Sequence, residues 1–488
     1  MLKKLNPELN TEGAIIPIGK AEYPNPFKST LEFNAPAHGV WNIVHTGMLI
    51  PESHQIYICS PNCMRGVVLT AAEMNAQERF SQVLIEEKDV LAGSMEKLTV
   101  DGVCDCLNKL PKLPKAVLVF TVCIHHFMGA DLDWIYRRLA EEFPGVAFIR
   151  CFMDPIMKKS GLTPDQKIRK SLYEPIKPLP VKPKTAALLG SDFALDETSD
   201  LKTLLKENGY ELKELPLCRT YEEYLSIGES KFFICCYPPA LAGAKALAGR
   251  LGRPLLYLPQ TFDFGQTDEN KKKLISFIEK SSVRQKSVSQ VFNPDTAPAC
   301  LNIASDASDP DLSADNSGLF KNQSEFRVQN SELKISAREA LYNLRKTAGE
   351  TEMVIDYTFH PRPLGLAKLL LEYGFNVTKI YLDAVSGEEE HEFYCLKEHY
   401  PDILLCATVH PKCRLLHETE SSGILALGQK AAWFTGTKHF VNIVEGAGWY
   451  GYDGIIKLAK AAEDALKSEK DPEDYITVKG LGCESCIL

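Results

Sequence analysis

Three times along this chain a short apolar run is followed by a turn and then by a stretch with helical spacing. Parallel strands cannot be joined by a tight hairpin and need a crossover, usually a helix. Strand–turn–helix repetition therefore predicts parallel sheets with helices packed on their faces. In the first stretch, residues 116–122 read as a buried strand, 131–143 as a helix and 146–150 as the next strand. The second follows a proline-rich linker at 175–183. It has strands at 185–190, 231–236 and 255–258, with helices at 199–208 (closed by Gly209) and 240–251. The third opens with a helix at 337–347, then alternates a strand at 352–357, a helix at 364–373 ending at Gly374, and strands at 375–381 and 402–406. Residues 453–468 form its terminal helix.

Between about 282 and 333 the pattern stops, and Ser, Asp, Asn and Pro dominate 293–322. Such a composition buries too little apolar surface to offset the entropy of ordering, which predicts a loop or a partly disordered insertion. A chain of 488 residues also exceeds what one core supports and suggests about three domains. The expected division is 1–182, 183–284, a polar insertion at 285–335, and 336–488. Each folded unit is expected to be a doubly wound, Rossmann-like α/β domain, the three surrounding a central cleft. None of the strand–helix turns carries a clean Gly-x-Gly-x-x-Gly or a Gly-Lys-Ser phosphate loop, so nucleotide binding by this chain is not expected.

Charge narrows the partners. The net charge of −9 argues against nucleic acid, which needs clustered Lys and Arg. No segment reaches the roughly 18 unbroken apolar residues of a membrane span, and the basic start at Lys3 and Lys4 has no apolar core behind it. Prenylation would require Cys where Ser485 stands. A cytoplasmic protein is the expectation. In a reducing compartment disulfides are disfavoured, so the 15 cysteines lean towards buried thiols, metal ligands or redox work. Most of them read as buried, inert thiols.

A few need not be. Cys59 and Cys63 follow one apolar run and Cys123 ends another. In open α/β sheets ligands gather beyond the carboxyl ends of strands, so these three thiols can converge. Thiolates are what iron–sulfur clusters require, and a cluster usually takes four. Spacing alone leaves structural cysteines as the alternative. His125 and His126 follow Cys123 and are placed to hydrogen-bond near such a group or to relay protons. Cys104 and Cys106, on a predicted helix, face apart and read as structural. The tail pair Cys483 and Cys486 has no second pair for zinc, leaving a redox or metal-delivery tail against incidental cysteines.

Read in order, these residues resemble a known family. Cys63, the Val90-Leu91-Ala92-Gly93-Ser94 segment, and Cys123 with Gly129-Ala130-Asp131 are similar to the N-terminal part of nitrogenase component 1 subunits. Leu188-Leu189-Gly190, Asn208-Gly209-Tyr210 and Phe233-Ile234-Cys235-Cys236-Tyr237 follow that family's second domain. His360-Pro361-Arg362-Pro363 resembles its Arg-Pro-Arg turn. Gly428-Gln429-Lys430 resembles a Gly-x-Lys turn, and 448–454 the Gly-x-x-Gly-Phe-Asp-Gly signature. The resemblance spans nearly the whole chain outside the insertion.

It implies an iron–sulfur oxidoreductase, a nitrogenase-like reductase subunit. A cluster, [4Fe–4S] or larger, would lie at a subunit interface on Cys59, Cys63 and Cys123. A second component 1-type subunit, identical or homologous, would complete it, and an ATP-hydrolysing iron protein would be the reductant. Cys236 with Tyr237 would mark a second metal cofactor site, with Arg362 and Lys430 supplying positive charge to an anionic cofactor or substrate. Two departures stand out. The family has a further cluster cysteine about 25 residues before Cys63, whereas no cysteine precedes Cys59 here, which leaves His38, His45 or the partner chain as the fourth ligand. The cofactor histidine is replaced by Val441, with His439 nearby, so plain dinitrogen reduction is not the first reading. A cofactor-assembly scaffold or maturase, or a metal-free binding or regulatory relative, would share the fold.

Overall fold

The computed structural model describes residues 11–30, 43–153, 161–289, 319–414 and 423–472. Its strands form three sheets. The first has four parallel strands in the order Phe80–Leu84, Ser53–Cys59, Ala116–Val122, Ala147–Met153. The second repeats that plan with Glu211–Glu214, Lys182–Leu189, Ser230–Cys235 and Leu255–Tyr257. The third has six strands, and five of them are parallel: Leu404–Cys406, Asn376–Tyr381, Glu352–Asp356, Ile424–Leu427 and Phe440–Val441. The fold is thus the expected mixed α/β architecture of several parallel sheets.

Burial explains why these strands read so plainly. Every residue of Ser53–Cys59 and of Ala116–Val122 is buried, because helices cover both faces. Such strands read as continuous apolar runs, without alternation. Tyr57 stacks on Phe120 with ring centroids 4.2 Å apart, locking the two central strands together.

Each sheet has one switch point, where the chain leaves a strand to one side and returns on the other. In the first sheet it lies between Ser53–Cys59 and Ala116–Val122, in the second between Lys182–Leu189 and Ser230–Cys235. In the third it lies between Glu352–Asp356 and Ile424–Leu427. Crevices open beyond the carboxyl ends of strands at such points.

Two elements differ from the sequence reading. The strand Ile15–Pro17 pairs antiparallel with Leu404–Cys406, so the amino-terminal segment closes the third sheet and does not join the first. A three-residue strand carries too little pattern to be read locally. The insertion is also shorter than its composition suggests. A helix runs from Phe264 to Ser289 and another from Leu319 to Ala348, entering 285–335 from both sides. The second packs along the last helix, Gly451–Lys467, and burial of Leu341 and Leu344 outweighs weak helical propensity in its first turns.

The last helix is held by the helix Asp200–Glu207, which follows the strand Lys182–Leu189 of the second sheet. Asp200 accepts the N–H groups of Tyr452 and Asp453, each at 3.0 Å, where an acid complements a helix amino terminus. Gly451 is required there: it has φ +68, and a Cβ would fall 2.7 Å from Asp200 Oδ2. The glycine-rich signature at 448–454 therefore docks the last helix against Asp200–Glu207.

Candidate functional site

The first switch point carries the cysteines. Cys59 is the last residue of its strand and is fully buried. Cys63 lies in the first turn of the following helix, Pro61–Glu73, and is exposed, with Ser60 Oγ at 3.5 Å from its Sγ. Cys123 begins the short helix Cys123–Phe127 directly after the adjacent strand and is half-buried. Tyr57 is in register with Phe120, so Cys59 and Cys123 lie at one edge of neighbouring strands. Burial, and next the proximity of Cys63, push the Cys59 thiol up to about 12. An isolated thiolate is unfavourable there, and a bound cation would reverse that.

Thus the donor set suits a thiophilic metal group, but it is partial. Among the described residues no group of three or more His, Cys, Asp or Glu is arranged to hold a metal ion. Of the alternative ligands, His45 lies in the helix Ile43–Met48, while His38 lies outside the described residues, as do Cys483 and Cys486. Exposed apolar side chains lie on the elements that carry or flank these cysteines, beside the exposed charges of Glu86 and Lys88. Val68, Leu84, Leu91, Phe127 and Met128 are 51, 42, 80, 66 and 40% exposed, and all lie on elements that flank this edge.

The histidines have different roles. His125 is buried; its Nδ1 accepts the N–H of Val122 and its Nε2 lies 3.1 Å from Thr99 Oγ1. Burial pushes it down to about 4, so it is a neutral brace of the helix start. His126 stacks with Phe152, ring centroids 6.1 Å apart.

The second and third switch points face one another across a cavity of about 630 Å³. Its wall includes Tyr237, Pro238 and Pro239 after one strand and Tyr357, Pro361 and Pro363 after another. Tyr237 lines this cavity, whereas Cys236, the other residue of the expected pair, does not. Its thiol packs in the core with Leu188, Ile234, Leu258 and Tyr450, and burial holds it well above the ordinary thiol range. Along a strand end successive side chains face opposite ways, and here the tyrosine takes the cavity side. A metal group in this cavity would find no thiol among the described residues of its wall, so those residues do not fit a second metal cofactor held by Cys236.

Arg362 and Lys430 stand behind the wall. Arg362 donates to Glu392 Oε1 at 2.6 Å and to Gln266 Oε1 at 2.7 Å. Lys430 donates to the Tyr357 hydroxyl. Burial alone would lower Lys430, but Tyr357, Asp356 and Asp383 raise it, so it stays charged. Gly428 makes this packing possible. With φ +118 it admits no side chain, since a Cβ would sit 2.2 Å from Asp356 Oδ2. Asp356 in turn accepts the N–H of Ala431 at 2.8 Å.

Two participants escaped the sequence reading. Arg169, fully buried, bridges Asp165 at 3.1 Å and Asp192 at 2.7 Å, donates to the Gly190 carbonyl at 2.6 Å and lies over the Tyr237 ring. Its helix start was legible: Thr163 and Gln166 form a capping box around Pro164. Glu389 is 2% exposed and lines the cavity. Its Oε1 accepts the N–H groups of Leu364 at 2.8 Å and Gly365 at 3.0 Å. Burial raises its carboxyl to about 8. No local motif marks such a residue, because its desolvation is tertiary.

Comparison with known proteins agrees with this geometry. Solved structures titled "Nitrogenase Cp1 at pH 6.5" and "Nitrogenase Cp1 at pH 5" superpose with TM-scores of 0.61 and 0.55. Their identities are 13% and 10%; the alignments cover 90% and 93% of this chain and 94% of each of those chains. At such identities the likeness is one of fold. No protein of curated function is significantly similar in sequence. The family model described as "Nitrogenase component 1 type Oxidoreductase" matches residues 49–297, about half of the chain and including all three cysteines of the first switch point. The chain belongs to the nitrogenase component 1-type oxidoreductase family.

Proposed function

We propose that this chain is the substrate-reducing subunit of a nitrogenase-like, two-component reductase. An ATP-hydrolysing iron protein is its electron donor, and a second component 1-type subunit docks on the cysteine edge of the first domain. An iron–sulfur cluster held there by Cys59, Cys63 and Cys123 together with the partner would, when bound, supply one-electron storage. The observation that carries this reading is the placement of Cys59 and Cys123 at the carboxyl ends of the two central strands of the first sheet, with Cys63 exposed in the first turn of the following helix. A cluster usually takes four ligands, so a partial set that includes an exposed cysteine needs a second chain.

In this account each residue has a distinct task. Cys63 is exposed where a partner would dock, and Cys59, whose thiol sits near 12, would be held as a thiolate by a bound cluster. His125 fixes the turn that presents Cys123. The substrate occupies the cavity between the second and third sheets, where Tyr237 and Glu389 meet it. The packed position of Cys236 disfavours an assembly scaffold that would build a metal cofactor in that cavity.

The test is EPR on anaerobically purified protein mixed with a component 2-type iron protein and ATP. A cluster signal that changes only when ATP is present supports the reading. A signal-free protein, or one reduced equally well without ATP, refutes it.

A further inference from the structure

The charge on the cavity wall is one-sided. Four of its lining residues are acids, Asp165, Asp383, Glu388 and Glu389, and none of the described residues lining it is Lys, Arg or His. The cations nearby are already overmatched. Arg169 faces Asp165, Asp192 and Glu445; Arg362 faces Glu392 and Glu389; Lys430 faces Asp356 and Asp383. An anion entering this space would meet Asp383 and Glu388, joined above about pH 8 by Glu389, with no free counter-ion among the described residues that line it.

Several buried oxygens point to a ligand with donors. Glu389 makes both its hydrogen bonds through Oε1, leaving Oε2 for an incoming group. Ser386 Oγ, also on the wall, is buried with no hydrogen-bond partner. The remaining surface is aromatic and apolar: Tyr23, Tyr237 and Tyr357 with Pro24, Pro238, Pro239, Pro361 and Pro363. Tyrosine faces attract cations, and a cavity of this size holds a drug-sized molecule.

Resting on the reading that this cavity is the substrate site, we infer that its ligand is an organic cation: an amidinium, pyridinium or ammonium group on an aromatic or alkyl body. The charged end pairs with Asp383 and Glu389 while the body lies against the tyrosines and prolines. Anionic cofactors and carboxylate-bearing substrates are disfavoured by the same wall.

The experiment is calorimetric titration of the intact chain with three matched probes, benzamidinium, benzyl alcohol and benzoate, at low salt and pH 9, where the Glu389 carboxyl is charged. No reductant, iron protein or turnover is involved, so its outcome is independent of whether a cluster is present. Benzamidinium is expected to bind at least tenfold more tightly than benzyl alcohol, with benzoate weaker than either. Glu389→Gln, which keeps the acceptor for Leu364 and Gly365, is expected to weaken benzamidinium at least fivefold. Glu388→Gln, at an exposed position that does not threaten folding, is expected to weaken it by a smaller factor. Benzoate binding as well as benzamidinium, no binding of any probe at millimolar concentration, or unchanged affinity in both variants would overturn the inference.

Discussion

Arg362 directs its guanidinium at Glu392, 2.6 Å away and with both side chains almost fully buried, and not at the cavity beside it. Removing one partner of such a pair leaves an uncompensated charge. Glu392→Ala is therefore expected to lower unfolding free energy by about 3–5 kcal/mol, whereas Arg362→Met with Glu392→Leu costs clearly less. Denaturant titration of the two variants measures this. Equal losses would mean that packing, and not charge pairing, sets the value of the contact.

Acid should destabilise the protein through its buried histidines. His54, His125 and His360 are 3, 1 and 3% exposed, and burial pushes them down to about 4, 4 and 3. Their folded values lie below the unfolded one, so the unfolded chain binds more protons below about pH 6.5. Stability is then lost as pH falls towards 4. Each contributes a loss of about 2 kcal/mol by pH 5. His125→Asn should remove one such share, seen as a shallower decline between pH 7 and pH 5 in urea unfolding.

Glu389 has the opposite sign of dependence. Its carboxyl is raised to about 8 by burial, so the stability it contributes is complete below about pH 4.5 and is lost as pH rises through 8. Relative to the native chain, Glu389→Gln should gain about 4 kcal/mol between pH 5 and pH 9 as an upper bound. A gap between the two unfolding curves that stays constant with pH would place the titration elsewhere.

The rim around the cysteines is expected to hold a subunit. Leu91→Lys, at a position 80% exposed, should leave the melting temperature unchanged and convert a sedimenting dimer towards monomer. Leu91 lies in the short helix Glu87–Ala92 and belongs to no core cluster, although its neighbour Val90 packs against one, so a fall in stability is not expected.

The fold was largely legible because doubly buried strands leave continuous apolar runs; the strand expected at 116–122 is Ala116–Val122. Short strands such as Phe440–Val441 and Ile15–Pro17 were missed, since two or three residues show no period. At the cavity, the sequence singled out Tyr237, Arg362 and Lys430; the first lines the wall and the two cations stand behind it. It could not give the direction of the Cys236 thiol, the saturation of both cations by Glu392, Asp356 and Asp383, or the desolvation of Glu389. Those depend on which side of a strand end faces the crevice and on partners far away in the chain.

The measurement that tests the central account most directly is iron and acid-labile sulfide in protein purified anaerobically from iron-replete cells, beside a Cys63→Ala, Cys123→Ala double variant. The account predicts equal iron and sulfide, about two of each per chain for a four-iron cluster shared by two subunits, and loss of both in a variant that still folds. Iron-free native protein, or iron retained in the variant, would contradict it.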